Sequence, residues 1–284
     1  MNVSEGRDAA LLTRLATACG RALLDVHSDA DHNRSVFTLA GEGSGVLDAT
    51  RSLARAVVES LDLSRHDGAH PRIGVLDVVP WVSLREGEGG MLVDGPPAPA
   101  VEARSSFASW AGSDLSLPCF FYGFDGYPSL PEVRRRAWVD LAPDTGPERP
   151  HPTAGACAVG ARGVLVAYNL WLAEPDIAAA RAIASELRAR PGAGRIRTLA
   201  LQVGESVQVS CNLIDPWVAG PGVAFDFVAS RTGVARSEVV GLVPGAVLHA
   251  EPLHRWVELG LDPSETIEAR LEAAGLDGGR FGSG

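Results

Sequence analysis

The stretch GVLVAYNLWLAEPDIAAARAIASELRARPGAGRIRTLALQVGESVQVSCNLID, residues 163–215, decides the fold. Residues 163–172 are an apolar run of strand length, and Ile177, Ala180, Ile183, Ala184 and Leu187 then recur at helical spacing. Residues 196–203 and 207–215 read as two strands parted by Gly204 and Glu205, the pattern of a hairpin. Downstream, residues 222–230 suit a helix and residues 238–244 a strand. The order β-α-β-β-α-β is that of a ferredoxin-like split βαβ unit.

Working back toward the start, the same signals recur. They predict a helix over 7–19, strands over 22–26 and 35–40, a helix over 46–61, a strand over 73–84, a helix over 99–110 and a strand over 118–123. That is α-β-β-α-β, the same order without its first strand. The expected fold class is therefore α+β, two tandem ferredoxin-like (βαββαβ) subdomains over 1–160 and 161–284, the first lacking its opening strand. Residues 123–152, dense in Pro, Gly, Asp and Arg, read as an irregular connection between the halves.

Composition limits the function classes. At 284 residues and 46% hydrophobic the chain can bury a substantial core, and 21% charged residues argue against disorder. No apolar run is long enough to cross a bilayer, and the start MNVSEGRDAA has no signal-peptide pattern, so a cytoplasmic protein without membrane partners is expected. Cys19, Cys119, Cys157 and Cys211 form no CxxC pair and suit reduced thiols. A net charge of −10 argues against nucleic-acid binding. All 25 basic residues are arginine, which excludes a catalytic lysine and offers forks suited to carboxylates.

Candidate residues fall in a few places. DVHSDADHNRS holds Asp25, His27, Asp29, Asp31 and His32. Turn chemistry outweighs a metal site there, with substrate contact a third reading. GEGSG lacks a P-loop lysine, no G-x-S-x-G elbow occurs, and the run Arg134, Arg135, Arg136 suits a solvated surface that can attract an anion. In SRHDGAHPRIGVLDVVP, residues 64–80, His70 stands between a loop and a strand, its backbone restricted by Pro71. An imidazole held there can exchange protons near neutrality, although a structural role is the commoner one.

Seven blocks then occur in an order that resembles the glutamate formimidoyltransferases: NVSEGRD (2–8), LLDVHSDADHNRSVFTLAG (23–41), GAHPRIGVLDVVPWV (68–82), DLAPDTGP (140–147), GARGVLVAYNLWL (160–172), VSCNLID (209–215) and VVGLVP (239–244). The resemblance implies two ferredoxin-like subdomains forming a folate cleft, in a homodimer. It implies transfer of a formimidoyl group from N-formimidoyl-L-glutamate to N5 of tetrahydrofolate, the co-substrate, with no metal. The family's HPR histidine falls on His70, the expected general acid/base. Its folate loop falls on Gly146, Pro147, Glu148, Arg149, Pro150, His151, Pro152, Thr153, Ala154 and Gly155. His27 stands where some members have an aspartate, a possible substrate contact, and Gly163 stands where a basic residue often follows GAR. No cyclodeaminase segment is expected. The alternatives are a folate-binding paralogue without transferase activity, a transferase with another donor such as formimidoylglycine, and a metal-dependent enzyme centred on His27, Asp29 and His32.

Overall fold

The computed structural model describes residues 1–68, 70–190 and 195–276. Ala69, inside the 68–82 block, and residues 277–284, the end of the second expected subdomain, lie outside them. The chain divides into two compact units: residues 1–84 with 94–162, and residues 85–93 with the chain from 163 onward.

The first unit begins β1 (Asn2–Val3), α1 (Ala9–Ala18), β2 (Leu23–Asp29), β3 (Arg34–Leu39), α2 (Gly43–Ser60), β4 (Leu76–Trp81). In the sheet these strands lie in the order β2-β3-β1-β4, with β1 antiparallel to both neighbours. The opening strand expected to be missing is thus present. Two residues carry no readable period, and only the ladder, which sets Asn2 against Val36 and Val78, reveals them. Helix α1 starts where the Asp8 carboxylate accepts the Leu11 N–H at 2.9 Å, satisfying one of the orphan donors of its first turn. Its Leu11 and Leu15 join Leu53, Ala54 and Val57 of α2 and Phe37, Leu76 and Val79 of the sheet in one core. Each such side chain contributes roughly 1.5–3 kcal/mol on burial.

After β4 come the short strands β5 (Leu84–Glu86) and β6 (Leu92–Asp94), which pair only with each other. Then follow α3 (Pro97–Asp114), β7 (Cys119–Gly123), α4 (Leu130–Arg136) and β8 (Cys157–Ala161). Strands β8 and β7 extend the sheet beyond β4 in parallel register. Residues 123–152 therefore lie inside the first unit and do not connect the halves. They include α4, whose start is set by the Ser129/Glu132 capping box. Strand β8, CAVGA, is buried at every position, so it shows no alternation to read.

The second unit runs β9 (Val166–Leu172), α5 (Ile177–Ala189), β10 (Ile196–Val203), β11 (Ser206–Leu213), α6 (Pro221–Ala229), β12 (Val234–Val240), in the strand order β10-β11-β9-β12. That is the strand order and sense of β1 to β4, so both units carry the split βαβ arrangement in a mixed α+β chain. Asp176 caps α5 by accepting from Ala178 and Ala179. Gly204, at φ +56°, supplies the left-handed backbone of the β10–β11 turn. Tyr168, Leu170 and Leu172 point into the core with Val207, Val209 and Cys211 against Ile183 and Leu187. The chain then adds α7 (Gly245–His249) and α8 (Ile267–Ala273). Among the described residues no helix is long and apolar enough to cross a membrane.

Candidate active site

Every sequence-predicted site residue lies in the first unit. His70 occupies the turn that leads into β4, and three contacts shape that turn. The Arg72 guanidinium donates to the carbonyls of Gly68 and His70 and to Nδ1 of His66. His66 in turn donates from Nε2 to the Asn33 carbonyl at 2.9 Å, and Asn33 Nδ2 donates to the Asp67 carbonyl at 2.8 Å. Gly68 passes so close to the β2–β3 turn that a Cβ there would lie 2.4 Å from the His32 carbonyl oxygen. His66 is therefore a brace, and the arginine of HPR closes the turn around the histidine.

Nδ1 of His70 lies 2.8 Å from the Pro71 carbonyl oxygen. A carbonyl only accepts, so Nδ1 carries the proton and the Nε2 lone pair is the free one. The imidazole packs edge to face on His32, ring centroids 6.2 Å apart. Burial, and then the charges of Arg34 and Arg134, push the His70 pKa down to about 3, against the opposing pull of the Pro71 carbonyl and Asp77. At neutral pH the ring is an uncharged proton acceptor.

The two arginines meet on Asp77, a fully buried carboxylate at the second position of β4. Its Oδ2 accepts from Arg34 Nη1 at 2.8 Å and from Arg134 Nη2 at 2.5 Å, while Oδ1 accepts the Ile73 N–H at 2.8 Å. One carboxylate thus ties β3, α4 and Ile73, in the approach to β4, together. Arg134 is the correction to the solvated reading of the arginine run. Arg135 is exposed and Arg136 pairs with Asp140 at the surface, but Arg134 turns inward. Sequence reasoning passed over Asp77 and Arg34 and read Arg134 only as part of a solvated run. The signal was a charged residue inside the apolar run VLDVV, since a buried carboxylate needs a cation.

The segment Gly146–Gly155 lies beside the same approach to β4. Its upstream end is tied to β7: Asp144 Oδ2 accepts the Phe121 N–H at 2.7 Å, and the Cys119 N–H donates to the Thr145 carbonyl at 3.0 Å. Its downstream end is a tight turn in which His151 and Gly155 exchange backbone bonds at 2.8 and 3.0 Å and Nδ1 of His151 accepts from Ala154 N at 3.0 Å. That turn is stitched to the His70 side by the bond from Val75 N to the Ala154 carbonyl and from Ala156 N to the Ile73 carbonyl. Gly155 has φ +72°, and a Cβ there would lie 2.4 Å from the Ile73 oxygen. Between these anchors Gly146, Pro147, Glu148, Arg149 and Pro150 stand exposed.

His27 lies within β2, opposite Val36. The imidazole that the fold sets against His70 is that of His32, a residue whose backbone N–H donates to Asp29 Oδ1 at 2.8 Å. Among the described residues no group of three or more His, Cys, Asp and Glu side chains is placed to hold a metal ion. The four cysteines are buried and unpaired, and burial pushes the Cys19 thiol up to about 11 and that of Cys211 to about 12.

The family described as formiminotransferase domain, N-terminal subdomain, matches residues 1–162. The chain is 34% identical over 274 residues to a glutamate formimidoyltransferase of Streptococcus pyogenes serotype M1, covering 87% of this chain and 88% of that one. It is 31% identical over 304 residues to the glutamate formimidoyltransferase of Thermoplasma acidophilum, covering 96% of each. The formimidoyltransferase-cyclodeaminase of Sus scrofa is 32% identical over 86% of this chain, which spans 49% of that protein. With its first 162 residues matched by the family and near full-length likeness to two of its transferases, the chain belongs to the formiminotransferase family.

Proposed function

We propose that the chain transfers a formimidoyl group from N-formimidoyl-L-glutamate to N5 of tetrahydrofolate and releases glutamate, with His70 moving the proton. In this reading N5 attacks the amidine carbon and a C–N bond forms. The N5 proton passes to Nε2 of His70. As the tetrahedral intermediate collapses, the bond from carbon to the glutamate nitrogen breaks and His70 returns the proton to that nitrogen. The products are 5-formimidoyltetrahydrofolate and glutamate, and atoms and charge balance.

The observation that carries the role of His70 is the bond from Nδ1 to the Pro71 carbonyl. It fixes the tautomer with Nε2 as acceptor, and the depressed pKa keeps that nitrogen unprotonated in the free protein. Once protonated, the same ring is a strong acid toward a departing amine. The exposed segment Gly146–Pro150, held at both ends, supports assigning Gly146 to Gly155 to the folate, because it offers backbone groups to a planar ring without being free to collapse. The presence of β1 removes one motive for a binding-only paralogue.

Purified protein is assayed with tetrahydrofolate and, separately, formimidoylglutamate and formimidoylglycine. Turnover of the glutamate donor is expected, and His70→Ala lowers it by roughly 10²–10⁴-fold. Tight binding of tetrahydrofolate without turnover of either donor overturns the transferase reading, and wild-type activity in His70→Ala overturns the assignment of the proton to that residue.

A further inference from the structure

One cation is enough to neutralise a buried carboxylate. Here Asp77 carries two, Arg34 and Arg134, both on the same oxygen, and its other oxygen is taken by the Ile73 N–H. The cluster has a surplus positive charge that no acid shown bonded to these arginines balances. In addition, Nε of Arg134 is out of contact with solvent and has no acceptor among the described residues. Buried donors in native proteins almost always have a partner. The two side chains are not wholly sealed in: 11% of the Arg34 side chain and 21% of that of Arg134 reach the surface.

We propose that Arg34 and Arg134, braced on Asp77, form a carboxylate-binding subsite beside His70 that receives a carboxylate of a substrate brought to that imidazole. The inference rests on the reading of His70 as the reacting centre and deepens it. The planar arginine fork matches a carboxylate, and two forks spread from one anchor present donors at fixed angles. The groups that bear on the His70 ring are Arg34 from β3, Arg134 from α4, Asp77 from β4 and His32 from the β2–β3 turn, with Arg72 in its own turn. Burial weakens the ring as a base most and the arginine charges add to it; an anion docked across the arginines cancels that second part. Substrate arrival and proton affinity are then coupled: the empty site holds His70 neutral, and the loaded site makes it a better acceptor. The carboxylate has two sources, the amino-acid portion of the donor or the glutamate tail of the folate.

The test uses the full chain, its histidines labelled for NMR, with glutarate as the dicarboxylate probe. In the wild type the His70 titration moves up by a unit or more in saturating glutarate, and in Arg134→Gln glutarate has no effect on it. In steady state, Arg134→Gln raises one KM by about 10- to 100-fold, the range expected for losing a charge-assisted hydrogen bond. A rise for formimidoylglutamate alone assigns the subsite to the donor. A rise for tetrahydrofolate, absent with tetrahydropteroate, assigns it to the folate tail. Arg134→Lys, which keeps the charge and the Asp77 pair, restores part of the loss and serves as the variant should Arg134→Gln not fold. A His70 titration indifferent to glutarate in the wild type, or unchanged KM values in folded Arg134→Gln, overturns the subsite. A wild type that responds to glutarate but turns over no donor sinks the transferase reading and leaves the subsite standing.

Discussion

Replacing Asp77 by Asn keeps the size of the side chain and removes the charge that both arginines share. Breaking a buried ion pair by deleting one partner costs about 3–5 kcal/mol, because the other charge is left uncompensated. Here two cations are left, but each retains some solvent contact, which argues for the lower end of that range, about 3 kcal/mol. With a urea m-value near 2 kcal/mol/M, the midpoint of the first unit falls by about 1–2 M. Trp81, buried against Phe107 in that unit's core, offers a fluorescence signal, checked against a second probe because the chain has two compact units. The double variant Asp77→Asn/Arg134→Gln is the sharper measurement: removing one stranded cation makes it more stable than the sum of the single losses by about 1 kcal/mol or more. Because the Asp77 charge holds the His70 pKa up, the imidazole in Asp77→Asn titrates lower still. A loss under 1 kcal/mol for Asp77→Asn, or strict additivity in the cycle, refutes the account of Asp77 as the shared counter-charge.

Two further outcomes follow from the same geometry. Gly155→Ala forces φ +72° on a residue with a Cβ, 2.4 Å from the Ile73 oxygen and 2.7 Å from a Leu63 methyl, so a loss of about 2 kcal/mol or more in urea unfolding is expected together with reduced turnover; wild-type stability in that variant refutes the close approach. The pH dependence has a definite sign: between about 6.5 and about 3 the unfolded chain binds a proton at His70 that the native chain refuses, so stability falls as pH drops through that window, and His70→Gln flattens the fall, whereas identical pH profiles for the two proteins contradict the depressed pKa.

Much of the architecture was readable as pattern. The helices beginning at Ala9 and Ile177 announce themselves through apolar spacing, and the β10–β11 hairpin through its glycine turn. What escaped has a common physical origin. Strand β1 is two residues long and exists only because β3 and β4 flank it. Strand β8, flanked in the sheet by β4 and β7, is buried at all five positions and so loses the alternation that marks a strand. Helix α4 is short and polar, and the role of Arg134 is indistinguishable in sequence from that of Arg135 and Arg136.

The candidate site divides along the same line. The HPR turn and the segment 146–155, assigned to it by resemblance, are local runs legible in the sequence. The electrostatics of the site are not. Asp77 inside VLDVV demands a cation, but nothing within ten residues supplies one except Arg72 and Arg85, and Arg72 is spent on closing the His70 turn. The partners come from 43 positions upstream and 57 downstream, set in place by the β3-β1-β4 order and by α4. After burial of the ring itself, the charges that lower the proton affinity of His70 therefore come from β3 and α4 and not from the turn that carries it. Loosening β1, the two-residue strand between Arg34's strand and Asp77's, would disturb the charge at His70 without touching the histidine, its proline or its arginine. That dependence ties the chemistry of the site to the element least visible in the sequence.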